Sequence, residues 1–177
     1  WDHAQMSSHI MFTAAVVPPW MQRGTDLFAG DGGVARGMAA LYVLGRARAA
    51  YDMVRLPVHT GPWRGLGAGP NALAIECAMD EAASVAGVDP LQFRLAHVAD
   101  PLLAAVLQRV GEISGWGSAP APVAGLRLGR GIACGTYKDT SHAAAVADVS
   151  VDARGRVRVT RLWCVHDCGL VINPDQV

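Results

Sequence analysis

The sequence predicts an α+β protein, in which an antiparallel β-hairpin or small sheet packs with short helices. Three observations predict it. Asp89-Pro90 and Asp100-Pro101 each open a run of helical periodicity, with the aspartate as N-cap and the proline at the first helical position. The run 71–87 is rich in Ala, Leu, Ile, Met and Glu and stops at Gly87, as a helix would. From Ser141 the apolar period shortens to two, and "DARGR" supplies a turn between two alternating runs.

Taken in order, residues 1–30 carry weak periodicity. An apolar run at 10–17 reads as a strand that Pro18-Pro19 ends. Residues 29–37 have turn chemistry. Residues 38–45 fit a buried strand or a short helical piece, and 49–58 fit a strand ended by Pro57. In the helix 71–87, Ala72, Ile75, Met79, Ala82, Ala83 and Ala86 share one face, while Glu76 and Asp80 lie at i,i+4 on another. After Asp100, the residues Leu103, Val106, Leu107 and Val110 form an apolar stripe. Residues 117–129 read as a linker and 135–142 as a polar loop feeding the hairpin. Alternation breaks at "RLWCV", where either a bulge or burial on both faces accounts for it. The chain thus divides into N-terminal strands and loops (1–58), a Gly-rich loop with helices (59–116), and a linker with the hairpin (117–177).

Composition excludes several function classes. The 177 residues carry 15 Lys+Arg and 15 Asp+Glu, so no global field favours nucleic acid or acidic lipid. Tyr and Phe are scarce, which argues against a stacking platform for single strands. Four cysteines at this length do not make a disulfide scaffold, and they read as reduced, part-buried thiols. No apolar run is long enough to span a bilayer. The chain opens on Trp1 without a signal-like start, and so reads as a piece of something longer.

Three stretches could carry chemistry. "GPWRGLGAGPN" (61–71) holds four glycines and two prolines in front of a helix. It lacks the Lys-Ser/Thr of a phosphate-binding P-loop. Its spacing also fails the dinucleotide fingerprint, because Pro70 follows G-x-G-x-G. A plain turn fits the spacing. Against that, Arg64 sits next to Gly65, near further glycines, offers a fork of donors for a phosphate or oxo group, and stands before a helix N-terminus. The second stretch is Cys164, His166, Asp167 and Cys168. On a strand, Cys164, His166 and Cys168 would share a face, but no second ligand pair stands elsewhere. Buried thiols beside a turn explain them without a metal. The third is "GTYKDTSH" (135–142), which either lines a cleft or is a polar loop. The paired acids Glu76, Asp80 and Glu81 fit a solvated or partner-facing helix face.

Several motifs in order carry a family resemblance. They are Arg64-Gly65-Leu66-Gly67, Asp80-Glu81-Ala82-Ala83, Val88-Asp89-Pro90 with Arg94, Gly129-Arg130-Gly131-Ile132-Ala133, and Asp167-Cys168-Gly169 with Asn173-Pro174. The stretch 55–177 resembles the molybdopterin-binding large subunit of the xanthine dehydrogenase and aldehyde oxidase family, and "GPWR" resembles its isoquinoline 1-oxidoreductase type. The resemblance implies a molybdenum hydroxylase that inserts a water-derived oxygen into a C–H bond of an aldehyde or N-heterocycle. It implies molybdopterin, in the cytosine dinucleotide form, as cofactor. It also implies a partner small subunit with [2Fe–2S] clusters and a bacterial-type setting, cytoplasmic or periplasmic. It places Pro62, Trp63, Arg64 and Gly65 beside the molybdenum centre and puts the general-base glutamate in a later segment, beyond Val177. No residue of this chain is then catalytic, and none ligates metal. Two alternatives stay open: a non-catalytic scaffold or partner-binding fragment, and a small Cys/His metal-binding module.

Overall fold

The computed structural model describes residues 1–9, 17–28, 32–58, 60–118 and 120–176. Its elements are β1 (Asp2–Ser7), α1 (Pro19–Phe28), β2 (Arg48–Met53), α2 (Ala68–Ala86), α3 (Pro90–His97), α4 (Pro101–Ser114), β3 (Arg127–Tyr137), β4 (Ser141–Val151) and β5 (Val157–Asp167), with a short 3₁₀ turn at Pro174–Gln176. The architecture is α+β, as the alternating and helical periods predict. The strand expected at 10–17 lies almost wholly outside the described residues. No helix is long and apolar enough to cross a membrane among the described residues.

The chain forms two compact units, Trp1–Ala40 with Leu44–Ile75, and Leu41–Val43 with Glu76–Val177. In the first unit β1 and β2 pair in parallel, Asp2 opposite Arg48 through Ser7 opposite Met53. The strand expected over 49–58 therefore ends at Met53, because its partner runs out at Ser7 before Pro57 is reached. The expected strand or helix at 38–45 is neither. It is an irregular segment with one isolated bridge between Tyr42 and Val98, supported by the Val43 N–H donating to the His97 carbonyl at 2.7 Å.

The second unit follows local rules closely. Asp89 caps α3 by accepting from the Leu91 and Gln92 amides, and Asp100 caps α4 by accepting from Leu102 and Leu103. The α4 helix ends at Gly115 in the left-handed conformation. Its stripe Leu103, Val106, Leu107 and Val110 is buried, and the helix packs on the sheet.

The sheet has three antiparallel strands in the order β3-β4-β5. Burial alternates along β4, with His142, Ala144, Val146, Asp148 and Ser150 turned inward. Lys138 and Asp139, both at positive φ, turn β3 into β4, so the stretch read as a polar loop is mostly strand end and tight turn. Asp152 holds the second turn by accepting from the amides of Arg154 and Arg156. The break at "RLWCV" is a bulge: Val149 faces Val159 but Asp148 faces Arg161, leaving Thr160 extra. Burial on both faces does not occur there, since Leu162 is 65% exposed.

Candidate functional site

Residues 64–67 form turns that lead directly into α2, which starts three residues earlier than its composition predicts. The turn is pinned by its backbone. The Leu66 amide donates to the Trp63 carbonyl (2.8 Å), that of Ala68 to Gly65 (3.1 Å) and that of Asn71 to Gly67 (3.1 Å). A second glycine-rich stretch packs against it in the same unit. The Gly67 amide donates to the Gly33 carbonyl at 3.1 Å, and a Cβ at Gly67 would collide with the Val34 carbonyl oxygen. The buried Asn71 amide side chain donates to the Arg36 carbonyl at 3.0 Å. Gly67 is thus a packing glycine.

Gly65 differs. Its φ is +92°, and a Cβ there would meet nothing within 4 Å. Leu66 follows at φ 57°, a left-handed conformation that costs a non-glycine residue about 1–2 kcal/mol. Pro62, Trp63 and Arg64 are exposed, Trp63 by 84%. The Arg64 guanidinium has no hydrogen-bond or ion-pair partner among the described residues. Contrary to expectation, the helix N-terminus does not aim a set of free amides at this space. Those of Ala68 and Asn71 are already bonded and Pro70 has none, leaving Gly69 in the first turn.

Of the three acids of α2, Glu81 is exposed as expected and Asp80 is half-exposed, but Glu76 is not on a solvated face. Glu76 is 6% exposed and is satisfied within its own unit. Its carboxylate takes the Tyr42 hydroxyl (2.7 Å), the Arg94 Nε (2.9 Å) and the Cys134 backbone amide (2.9 Å), and its carbonyl takes Arg94 Nη2 (3.0 Å). Arg94 is fully buried and also donates to Asp80 (2.7 Å) and the Pro90 carbonyl (3.2 Å). Burial opposes the Arg94 charge, but Glu76 and Asp80 together outweigh it and hold the guanidinium protonated. The Tyr42 oxygen also meets the Cys134 sulfur at 3.0 Å. Burial first, and then the Glu76 charge, push the Cys134 thiol up to about 12, which leaves it protonated and inert. The network is buried except at Asp80, which opens to solvent, and it ties Tyr42, α2, α3 and β3 together.

A second ion cluster crosses the sheet. Asp148 is buried between Arg130 and Arg161, at 2.6 and 2.7 Å, and both guanidiniums lie over the Trp163 ring at 5.4 and 5.0 Å. Hydrogen bonds from Arg130 lead the influences that hold the Asp148 carboxyl below its ordinary value. The bulge at Thr160 is what turns Arg161 to the Asp148 side.

Cys164 and His166 share the outward face of β5, but β5 ends at Asp167 and Cys168 lies past it. Cys164 is exposed, not a buried thiol, and Cys77 is exposed as well. No group of three or more His, Cys, Asp or Glu side chains is placed to hold a metal among the described residues. The His166 Nε2 lies 2.7 Å from the Ser141 hydroxyl, and His142 pairs with Asp100 at 2.8 Å, so both histidines are engaged locally. Sequence reasoning missed the roles of Tyr42, Arg94 and Asp148. The available signal for Arg94 was its place in the motif with Val88-Asp89-Pro90, which did not reveal that it is buried.

Comparison with known proteins adds the family. The family model described as "Molybdopterin cofactor-binding domain" matches residues 124–177. A nicotinate dehydrogenase chain from Pseudomonas putida is 37% identical over 135 residues, covering 68% of this chain and 11% of that protein. The beta chain of isoquinoline 1-oxidoreductase from Brevundimonas diminuta is 35% identical over 116 residues, covering 64% of this chain and 15% of that protein. The chain therefore spans between a tenth and a sixth of the curated relatives' length. Aldehyde oxidoreductase from Desulfovibrio gigas aligns over 89% of this chain and 18% of its own, at 22% identity and a TM-score of 0.45. On the ordered motifs, the family model and the two curated relatives, the chain belongs to the xanthine dehydrogenase and aldehyde oxidase family, in its molybdopterin-binding subunit.

Proposed function

We propose that the chain serves a molybdenum hydroxylase, and that Pro62, Trp63, Arg64 and Gly65 form a loop facing its molybdopterin cofactor. The observation that carries this reading is Arg64: an exposed guanidinium without a partner among the described residues, on a turn whose backbone is pinned by four hydrogen bonds. The residues fit such a group in two respects. Arg64 offers the planar fork that suits a phosphate or oxo group, and the space beside Gly65 is open to close approach. When bound, the cofactor supplies the redox and oxygen-transfer chemistry. Arg64 then binds and orients an anionic oxygen, Trp63 excludes water from that contact, and Gly65 lets the backbone come near.

The wider reading is oxidation of an aldehyde or N-heterocycle with water-derived oxygen. The names of both curated relatives contain an N-heterocycle, which favours that substrate class. Electrons leave to a small [2Fe–2S] subunit, and the cofactor takes the cytosine dinucleotide form. The scaffold alternative draws on Asp89 and Arg94, whose motif positions are spent on a helix cap and a buried ion network. Arg64 separates the two readings. In the holoenzyme, Arg64→Ala is expected to cut turnover of N-heterocycles sharply, and Arg64→Lys to restore only part of it, because a point charge lacks the fork. Full turnover in both variants would favour the scaffold.

A further inference from the structure

The stretch 61–71 is shaped from within and placed from without. Its internal hydrogen bonds join residues three or four apart, so they fix the form of the turn but travel with it. Placement needs bonds to distant parts of the chain, and these lie within the first unit. At the entry, Thr60 donates to the His9 carbonyl at 3.0 Å. At the exit, the Gly67 amide donates to the Gly33 carbonyl at 3.1 Å, and the Asn71 Nδ2 donates to the Arg36 carbonyl at 3.0 Å.

The exit contact is matched on both sides. Gly67 and Asn71 are one helical turn apart, so they share a face at the start of α2. Gly33 and Arg36 lie three residues apart on the turn that meets them. Between the two bonds the backbones touch. A Cβ at Gly67 would collide with the Val34 carbonyl, and one at Gly37, where φ is +76°, would stand 2.9 Å from the Ala68 Cα. Asn71 itself is 3% exposed. Asparagine is a poor helix former, and alanine would suit both the burial and the helix better. The bond to Arg36 accounts for an amide at that position.

We propose that Asn71 is a positioning residue of the candidate site: its amide, clasped to the Arg36 carbonyl, sets where the turn carrying Arg64 stands. The inference rests on the cofactor reading for what Arg64 meets. Without the clasp the turn keeps its internal bonds, but its exit is free to shift over the 33–37 segment. A misplacement of about 1 Å in a reacting geometry can cost about 100-fold in rate.

Hydrogen exchange in the holoenzyme, read by mass spectrometry, tests the placement without any turnover. Asn71→Ala should speed exchange in the peptide 62–72 at least about threefold and leave that of β2 unchanged. Alanine favours the helix, so faster exchange there does not come from a weakened α2. Asn71→Gln keeps the donor on a longer arm and should recover part of the protection. In the same preparations Asn71→Ala should lower kcat for an N-heterocycle at least about tenfold, with KM within about twofold, because every group proposed to touch the cofactor is still present. Unchanged exchange in 62–72 overturns the proposal whatever the turnover. So does faster exchange with wild-type kcat, where Arg64→Ala lowers kcat. Wild-type kcat in both Asn71→Ala and Arg64→Ala overturns the cofactor reading itself, and the positioning role with it.

Discussion

Arg64 and Arg94 both belong to motifs that point to the same family, yet their surroundings are opposite. Arg94 has no exposed surface and donates to two carboxylates and two carbonyls. Arg64 is exposed, has no partner among the described residues, and sits on a turn held rigid by its neighbours. A motif position therefore does not by itself mark a functional residue. Where the chain's own groups satisfy the side chain, the motif records packing. Where they leave a strong donor unsatisfied on a fixed backbone, the side chain is free to meet a ligand, as proposed for Arg64.

The strongest way to break this contrast is Arg94→Met. It strands the Glu76 carboxylate in a buried site, and the expected loss of stability is about 3–5 kcal/mol by denaturant unfolding. A loss under about 1 kcal/mol would mean that water reaches Glu76 and the network is not the clamp described. Glycine substitutions sharpen the contrast inside the loop. Gly67→Ala drives a methyl into the Val34 carbonyl and should cost about 3 kcal/mol or more. Gly65→Ala meets open space and carries only the backbone penalty, about 1–2 kcal/mol. If thermal melts rank them the other way, the packing and open glycines have been misassigned.

A smaller effect concerns pH. The folded Asp148 carboxyl is depressed below its ordinary value of 3.8, so its stabilising share is present above that value. It is lost as pH falls below about 4 and through the depressed folded value. Asp148→Asn should lower stability at neutral pH and flatten that acid limb. An unchanged limb would show that Asp148 is not a group whose protonation drives acid unfolding.

How much of this could be read in the sequence follows from range. The caps at Asp89 and Asp100 and the turn at Asp152 were legible because the donors lie two to four residues away. The alternation of β4 was legible for the same local reason. The partners of Arg94 lie 14 and 18 residues back, and Tyr42 lies 34 residues before Glu76, so composition and period carried no trace of the pairing. β3 stayed hidden from periodicity because Gly129, Gly131 and Gly135 have little strand propensity, and only its ladder with β4 makes it a strand. The Gly-rich loop was legible as a special turn. That Gly67 serves packing and Gly65 openness depends on the Gly33–Val34 backbone, which spacing cannot reveal.

On the proposed reading Arg64 is surplus to the fold and serves the cofactor. Molybdenum per chain in the Arg64→Ala holoenzyme, measured beside its melting curve, tests that most directly. Stability within about 0.5 kcal/mol of wild type is expected, together with a marked fall in bound molybdenum. Wild-type molybdenum content in that variant, or a loss of stability as large as that of Arg94→Met, would contradict it.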